Sequence, residues 1–573
     1  MKRHILILIV FFSVQVFSQT NYPLDYFASP VNVKISLAGN FGEIRPNHFH
    51  AGFDIKTNNK EGMPVYAAAD GYISRIKISP YGYGKALYIT HPNGYTTVYG
   101  HLQSFDKTIA EYCKKVQYAK ELFEIDTLLQ PNALPIKKGD LIALSGNTGG
   151  SQGPHLHFEI RETATEKPIN PYFFGYKVED NIKPTINEIA IYPIGETSSI
   201  NGKQIVKKIK PIASKGIYNI NKLDSVTVNG EIGFGIECID KETGATGPNG
   251  VFSIELQSGG KRIYYHELEK FTFENARYVN AHIDFLEKQK HNDVIQKCFL
   301  AKNDQLGIYK NVINNGVLNF SDDSVHWIRF IVKDFVGNTS EIMLKVKSSS
   351  KCNITGKTKN STAVTFDCLK ENHFKDDDIQ LTIPAAALYN DILFTESSSS
   401  PIKGTYSKLV HIQNDETPLQ KPISISIKAI NLPDSLKEKA AIISINSKGK
   451  KSYEGGSFNN GLVTTKTKVF GNFAIIVDTT APSIKFNLKT DGLKPIDLTK
   501  AKTIEVFAKD ALSGIKKYRA SIDGKWVLCE YETKKDLLFY TFDESISTGI
   551  HSFKIEVSDD KNNLTVLQFT FNR

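Results

Sequence analysis

The sequence predicts a mainly β chain: an N-terminal antiparallel β barrel or sandwich with one helical insertion, followed by several immunoglobulin-like β-sandwich domains. Three observations lead there. Short runs rich in β-branched and aromatic residues are broken throughout by Gly, Pro and Asn. Near the N-terminus only one long stretch has helical periodicity. Two downstream segments carry the same pair of signatures, the mark of related modules. At 573 residues the chain is too long for one core, and about 150 residues per domain gives roughly four domains. With 40% hydrophobic and 23% charged residues, it is neither fibrous nor disordered as a whole.

Taken in order, residues 1–18 (MKRHILILIVFFSVQVFS) have a basic start at Lys2 and Arg3, an apolar run from Ile5 to Val16, and small Ser18. This pattern predicts a secretory signal cut after Ser18 and an exported chain, periplasmic or extracellular. The apolar run is shorter than the ~20 residues a membrane span needs, so no stable membrane insertion is expected. Removing Lys2 and Arg3 lowers the formal charge from +9 to +7. That mild excess does not point to nucleic acid.

Residues 19–175 form the first expected domain. Its strand runs are VNVKISLAG, PVYAAADGYISRIKIS, KALYIT, YTTVYGHL, DLIALSG and HLHFEIR, with HPNG as a tight hairpin turn and His91 as a surface turn residue. Residues 106–130 form the helical insertion, with Ile109, Cys113, Val116, Tyr118, Leu122 and Ile125 as its stripe. Further on, DNIKPTI at Asp180 and DTTAPSI at Asp478 share D-x-x-x-P-[ST]-I. Each is followed by a closing hairpin with V-x-D-x-x-[GN]-N, in FIVKDFVGNTSEIMLKV and IEVSDDKNNLTVLQFTF. These frame β-sandwich domains at 176–350, with a partly helical insertion in HELEKFTFENARYVNAHIDFLEKQK, and at 478–573; residues 351–477 read as another β domain. The six cysteines have no C-x-x-C pair; Cys352 and Cys368 are the nearest couple, and disulfides and isolated thiols both fit.

Chemistry concentrates in three stretches of the first domain: RPNHFHAGFDIKT, VYGHL and SGNTGGSQGPHLHFEIR. They hold His48, His50, Asp54, His101, His155 and His157, so five of the chain's 14 histidines fall there. Two imidazoles and one carboxylate, with a position left for water, are what catalytic zinc requires. The period of two along HLHFEI puts His155 and His157 on one face, where one can bind metal while the other meets substrate. Gly52 lets the backbone bend between His50 and Asp54. His101 can reach the same cavity from its hairpin, His48 is read as structural or supporting, and Glu159 shares the face of His157 with its role open. NTGGSQGP lacks the Lys-Ser/Thr of a phosphate loop and is read as a flexible cleft wall.

FGEIRPNHFHAGFDI, VYGHL and GPHLHFEI together resemble the lysostaphin and LytM-type zinc endopeptidases, over about residues 35–172. The first stretch matches that family's H-x-G-x-D element and the last its H-x-H element. The resemblance implies a small antiparallel β barrel or sandwich of duplicated-hybrid-motif type. It also implies Zn2+ held by His50, Asp54 and His157, with His101 and His155 as catalytic non-ligands, and peptidoglycan peptides as substrate. The longer helical insertion and the unfamiliar downstream β domains depart from the family, leaving a wall, glycan or protein partner open for those domains. Three rival readings stay on the table: a silent, hydrolase-activating relative, a two-His-one-carboxylate iron oxygenase, and a chiefly adhesive chain.

Overall fold

Alternating burial along the strands sets the architecture, seen in a computed structural model that describes residues 22–214, 217–221, 226–244, 247–351, 364–486 and 494–573. The expected signal at 1–18 and Cys352 lie outside the described residues. The chain is mainly β, as its composition of short strands implied.

In the first domain the strands used below are β1 (Leu37–Gly39), β2 (Phe53–Lys56), β3 (Pro64–Tyr66), β4 (Gly71–Ile78), β5 (Lys85–Thr90), β6 (Tyr95–Gly100), β7 (Ser104–Phe105), β8 (Ile125–Leu128), β9 (Leu141–Leu144) and β10 (His155–Glu162). One antiparallel sheet runs in the order β1-β2-β10-β6-β5-β4-β8, and a smaller sheet runs β3-β9-β7. The core between them is built from Phe53, Ile55, Val65, Ile73, Leu87, Tyr99, Ile142, Phe158 and Ile160, among others. The HPNG turn closes β5 to β6 with Gly94 at φ 85°, a value that favours glycine.

Several elements differ from the sequence reading. Of VNVKISLAG only Leu37–Gly39 is strand; Val31 and Ile35 enter the core from irregular backbone. The helix α1 covers Lys107–Lys120, opened by Asp106 accepting from the Thr108 N–H and closed by Glu121 in the left-handed region. Ile125, counted in the helical stripe, belongs instead to β8 and pairs with Ile78 at the sheet edge. His91 is buried rather than on the surface, because both ring nitrogens have fixed partners: Asp70 O at 2.8 Å and Thr97 Oγ1 at 2.8 Å.

Downstream, strands between 185 and 348 form one large sheet around a second core. Two five-stranded sheets enclose a third core between 366 and 475, and a four- and a five-stranded sheet enclose a fourth between 498 and 571. The 266–290 insertion is partly helical, as expected, with helices at Val279–His282 and Phe285–His291. It is no free-standing appendage: Phe271, Tyr278 and Val279 complete the first domain's core, and Phe271 lies 5.6 Å from Phe49.

The last module folds back onto α1. Lys114 pairs with Asp543 at 2.5 Å, Glu121 with Arg519 at 2.5 Å, and Tyr118 meets Trp526 edge-on at 5.0 Å. Cys113, Cys238, Cys298, Cys368 and Cys529 are free and buried, so among the described residues the cysteines act as core thiols. No helix among the described residues is long and apolar enough to cross a membrane.

Candidate metal centre

The antiparallel register of β2 and β10 sets Asp54 directly opposite His157, and β10 pairs His157 with Gly100 of β6 on its other side. Directly opposed residues share a sheet face, so Asp54 and His157 project together. Two residues before His157, His155 falls on the same face; one residue past Gly100, His101 turns in at φ 58°. His50 enters from the segment before β2.

Gly52 serves this meeting by leaving room. A Cβ there would lie 2.2 Å from Phe158 O, and its φ is not among the positive values that demand glycine. The glycine loop is likewise no loose wall, since a Cβ on Gly149 would meet Gly84 N at 2.3 Å.

Three donor atoms converge. His50 Nε2 is 3.0 Å from Asp54 Oδ1, His157 Nδ1 is 2.9 Å from the same oxygen, and the two imidazole nitrogens are 3.0 Å apart. All three side chains are buried. His155 Nε2 lies 3.2 Å from Asp54 Oδ1, and the ring of His101 is 4.8 Å from that of His155. The five residues singled out for chemistry therefore form one cluster. His48 does not join it: it is exposed, with Nδ1 on Pro46 O at 2.9 Å.

The tautomers follow from the outer partners. His50 Nδ1 faces Asn40 O at 2.7 Å, His101 Nδ1 faces Thr148 O at 2.8 Å, and His155 Nδ1 faces Gly153 O at 2.8 Å. His157 Nε2 faces Glu159 Oε1 at 2.7 Å. Carbonyl and carboxylate oxygens only accept, so each of these nitrogens donates its hydrogen; the inward nitrogens of His50, His101 and His155 keep a lone pair, and that of His157 gains one when the ring loses its second proton. His155 Nε2 is buried without a well-formed hydrogen bond, an orphaned acceptor aimed into the cluster.

Residues not assigned from sequence hold this arrangement in place. Arg45 Nη2 sits 2.5 Å from Asp54 Oδ2, which leaves Oδ1 to the imidazoles. Glu159, fully buried, accepts from His157, from Tyr83 OH at 2.5 Å and from Arg161 Nε at 2.7 Å. The Tyr83 ring stacks on His157 at 5.0 Å. The period of two along β10 placed Glu159 on the face of His157 with its role open, whereas nothing local in the sequence marks Tyr83.

Electrostatics match this geometry. Burial pushes His50 down to about 4, and burial with the nearby His157 and His155 pushes His101 down to about 3. Burial also opposes charge on His157, but hydrogen bonds to Asp54 and Glu159 outweigh it and raise it to about 9. Against its own burial, Asp54 is held well below the carboxylate range by the imidazoles of His50, His155 and His157 gathered around it. A buried two-imidazole, one-carboxylate set of this kind suits a divalent transition metal.

Known proteins agree in this region. Residues 48–121 and 124–171 match peptidase family M23, and residues 363–478 match a Zu5-like domain. The chain is 35% identical over 130 residues to an uncharacterized metalloprotease of Haemophilus influenzae, covering 23% of this chain and 21% of that one. It is 35% identical over 122 residues to the DD-carboxypeptidase/endopeptidase Mpg of Neisseria meningitidis, covering 21% and 22%. To the peptidoglycan DD-endopeptidase ShyB of Vibrio cholerae it is 34% identical over 111 residues, covering 19% and 20%. It thus spans about a fifth of the length of the curated relatives it matches. Among solved structures, the catalytic domain of lysostaphin from Staphylococcus simulans shares 22% identity, covering 25% of this chain and 93% of that one at a TM-score of 0.19. Within a longer, mainly β chain, the domain that carries the histidine cluster is a peptidase family M23 domain.

Proposed function

We propose that this chain is an exported zinc-dependent endopeptidase that hydrolyses peptide bonds in bacterial peptidoglycan. The observation that carries the reading is the shared orientation of four imidazoles. Each has its outer nitrogen tied to an oxygen, which leaves the other ring nitrogen to the cluster. His50 Nε2, Asp54 Oδ1 and His157 Nδ1 are the three donors that would hold the ion. His101 and His155 stay beside them as bases. Bound zinc supplies Lewis acidity, lowering the pKa of water toward about 7 and polarising the scissile carbonyl.

The chain's own residues do the rest. His101 Nε2 and His155 Nε2, both with free lone pairs, are placed to take a proton from the attacking water and return it to the leaving amine. With a proton on, either can donate to the developing oxyanion. Arg45 and Glu159 act through Asp54 and His157, fixing which atom of each faces inward. Export rests on the 1–18 segment, and the substrate on the relatives named as peptidoglycan DD-endopeptidases.

The test is digestion of defined, D,D-cross-linked peptidoglycan by the purified full chain, read by mass spectrometry of released fragments and by metal content. Asp54→Ala and His157→Ala should lose zinc and hydrolysis together. His155→Ala should keep zinc and lose about 10²- to 10⁴-fold in rate, the scale of a general acid–base group. Full zinc in the Asp54 variant, or unchanged turnover in the His155 variant, would refute these roles. Zinc-loaded protein that leaves every peptide intact would refute the endopeptidase itself.

A further inference from the structure

The two modules that share D-x-x-x-P-[ST]-I and V-x-D-x-x-[GN]-N also share a third signature between them. Asp240-Lys-Glu-Thr-Gly and Asp510-Ala-Leu-Ser-Gly both read D-x-x-[ST]-G. In each module the fold brings the three signature aspartates together. Carboxylate oxygens of Asp180, Asp240 and Asp334 lie within 4.8 Å of one another, and so do those of Asp478, Asp510 and Asp559. The positions correspond: Asp240 and Asp510 each directly follow a strand (Val226–Ile239, Thr503–Lys509), while Asp334 and Asp559 stand at the turn of the closing hairpin.

Carboxylates packed this closely need a counter-charge, and among the described residues the second cluster has a cation near it, the buried Lys561. Among the described residues no Lys or Arg forms a salt bridge with any of the six. Lys561, the nearby cation of the second cluster, gives its Nζ to Gly456 O at 2.6 Å. The contrast with Asp367 and Asp391 is direct, since Lys302 Nζ sits 2.7 Å from Asp391 Oδ2. More telling, Asp240 is only 3% exposed and its Oδ1 has no hydrogen-bond partner; Asp478 is 2% exposed and its Oδ2 has none. Orphaned carboxyl oxygens at matching clusters in two modules are a costly pattern unless something binds them. Asp240 also lines a small cavity with Asp180 and Asp334, and its opposite neighbour Asn249 has both amide atoms buried and unpartnered.

The remaining oxygens are pre-positioned. Asp334 Oδ1 accepts from the Gly337 and Asn338 N–H groups at 2.7 and 2.8 Å, and Asp559 Oδ1 from those of Lys561 and Asn563, both at 2.8 Å. Asn338 and Asn563 clamp the second oxygen of each at 2.7 Å. These turns hold the carboxylates rigidly while lone pairs remain for another ligand.

We propose that each module binds one divalent cation of the calcium type, at Asp180–Asp240–Asp334 and at Asp478–Asp510–Asp559. All-oxygen, carboxylate-rich donors suit a hard cation that completes its shell with backbone oxygens and water. The first site is also a joint: its cavity is lined by Phe41, Asn170 and Tyr172 of the peptidase domain, so a bound ion stiffens the seam between that domain and the next module. The second site lies where Asp478 ends the Zu5-like match.

Calcium binding to the zinc-loaded full chain, counted by equilibrium dialysis with radioactive calcium, tests this directly. Two equivalents are expected. Asp240→Asn and Asp478→Asn should each leave one, and the double variant none, with zinc content unchanged throughout. Asparagine keeps the shape while removing charge, so calcium-free melting of Asp240→Asn should be no lower than that of the parent, and calcium should raise only the parent's Tm. Should either variant fold poorly, Asp180→Asn and Asp510→Asn, at the half-buried corners, answer the same question. No binding at millimolar calcium, the weak end for extracellular modules, or an unchanged count in the double variant overturns the proposal.

Discussion

Glu159 offers the sharpest test of how the centre is held. Its carboxylate is fully buried between His157 Nε2, Tyr83 OH and Arg161 Nε. Glu159→Gln keeps the shape but replaces one accepting oxygen by a donor. If the new amide nitrogen faces Arg161, two donors oppose each other and the guanidinium loses its buried counter-charge, a cost of about 1–3 kcal/mol in stability. If it faces His157, the ring must give up its Nε2 hydrogen and carry it on Nδ1, the atom turned toward Asp54 and His50, which then cannot ligate. Partners of this kind contribute about 10- to 100-fold in metal affinity, or about 1.4–2.7 kcal/mol. Zinc affinity measured by competition with a chromophoric chelator, beside a thermal melt, reads both effects. Affinity within about twofold of the parent, despite a lowered Tm, would show that His157 is oriented without Glu159 and refute the reasoning.

Three further outcomes follow from the same geometry. In the metal-free state His157 is protonated up to about 9 whereas His50 is neutral above about 4. Zinc must displace one proton at neutral pH, so the apparent affinity should rise about tenfold per pH unit toward pH 9 and then level; a flat profile between pH 6 and 8 would contradict the His157 assignment. The sign for stability of the stripped protein is opposite for the two rings: the His157 contribution is complete below its unfolded value and lost as pH rises through about 9, while that of His50 is lost as pH falls toward about 4. Gly52→Ala should place a methyl 2.2 Å from Phe158 O, prising β2 from β10. A loss of about 1–3 kcal/mol by denaturant unfolding, together with weaker zinc binding, is the expected result, and an unchanged midpoint would show that the strands have room to spare.

Much of this protein is legible in its sequence. The H-x-G-x-D and H-x-H spacings sufficed for the candidate cluster because strand periodicity and direct cross-strand pairing are local rules, and Asp54 opposite His157 obeys both. The mainly β character and the two related modules were visible for the same reason, since turn residues and alternating burial are written in short windows. Tertiary structure decided what depends on segments far apart in the chain. The 266–290 segment reads as a partly helical insertion in the second domain yet seals the first domain's core, and His91 reads as a turn residue yet is buried between Asp70 and Thr97. Tyr83 gains its role only when the fold brings it against Glu159 of β10. Two of the three aspartates in each module were plain as motifs, whereas Asp240 and Asp510 were not. That three of them meet with orphaned oxygens in each module is a property of the closed fold, because charges distant in sequence repel or find a partner only once the backbone has brought them within a few ångströms.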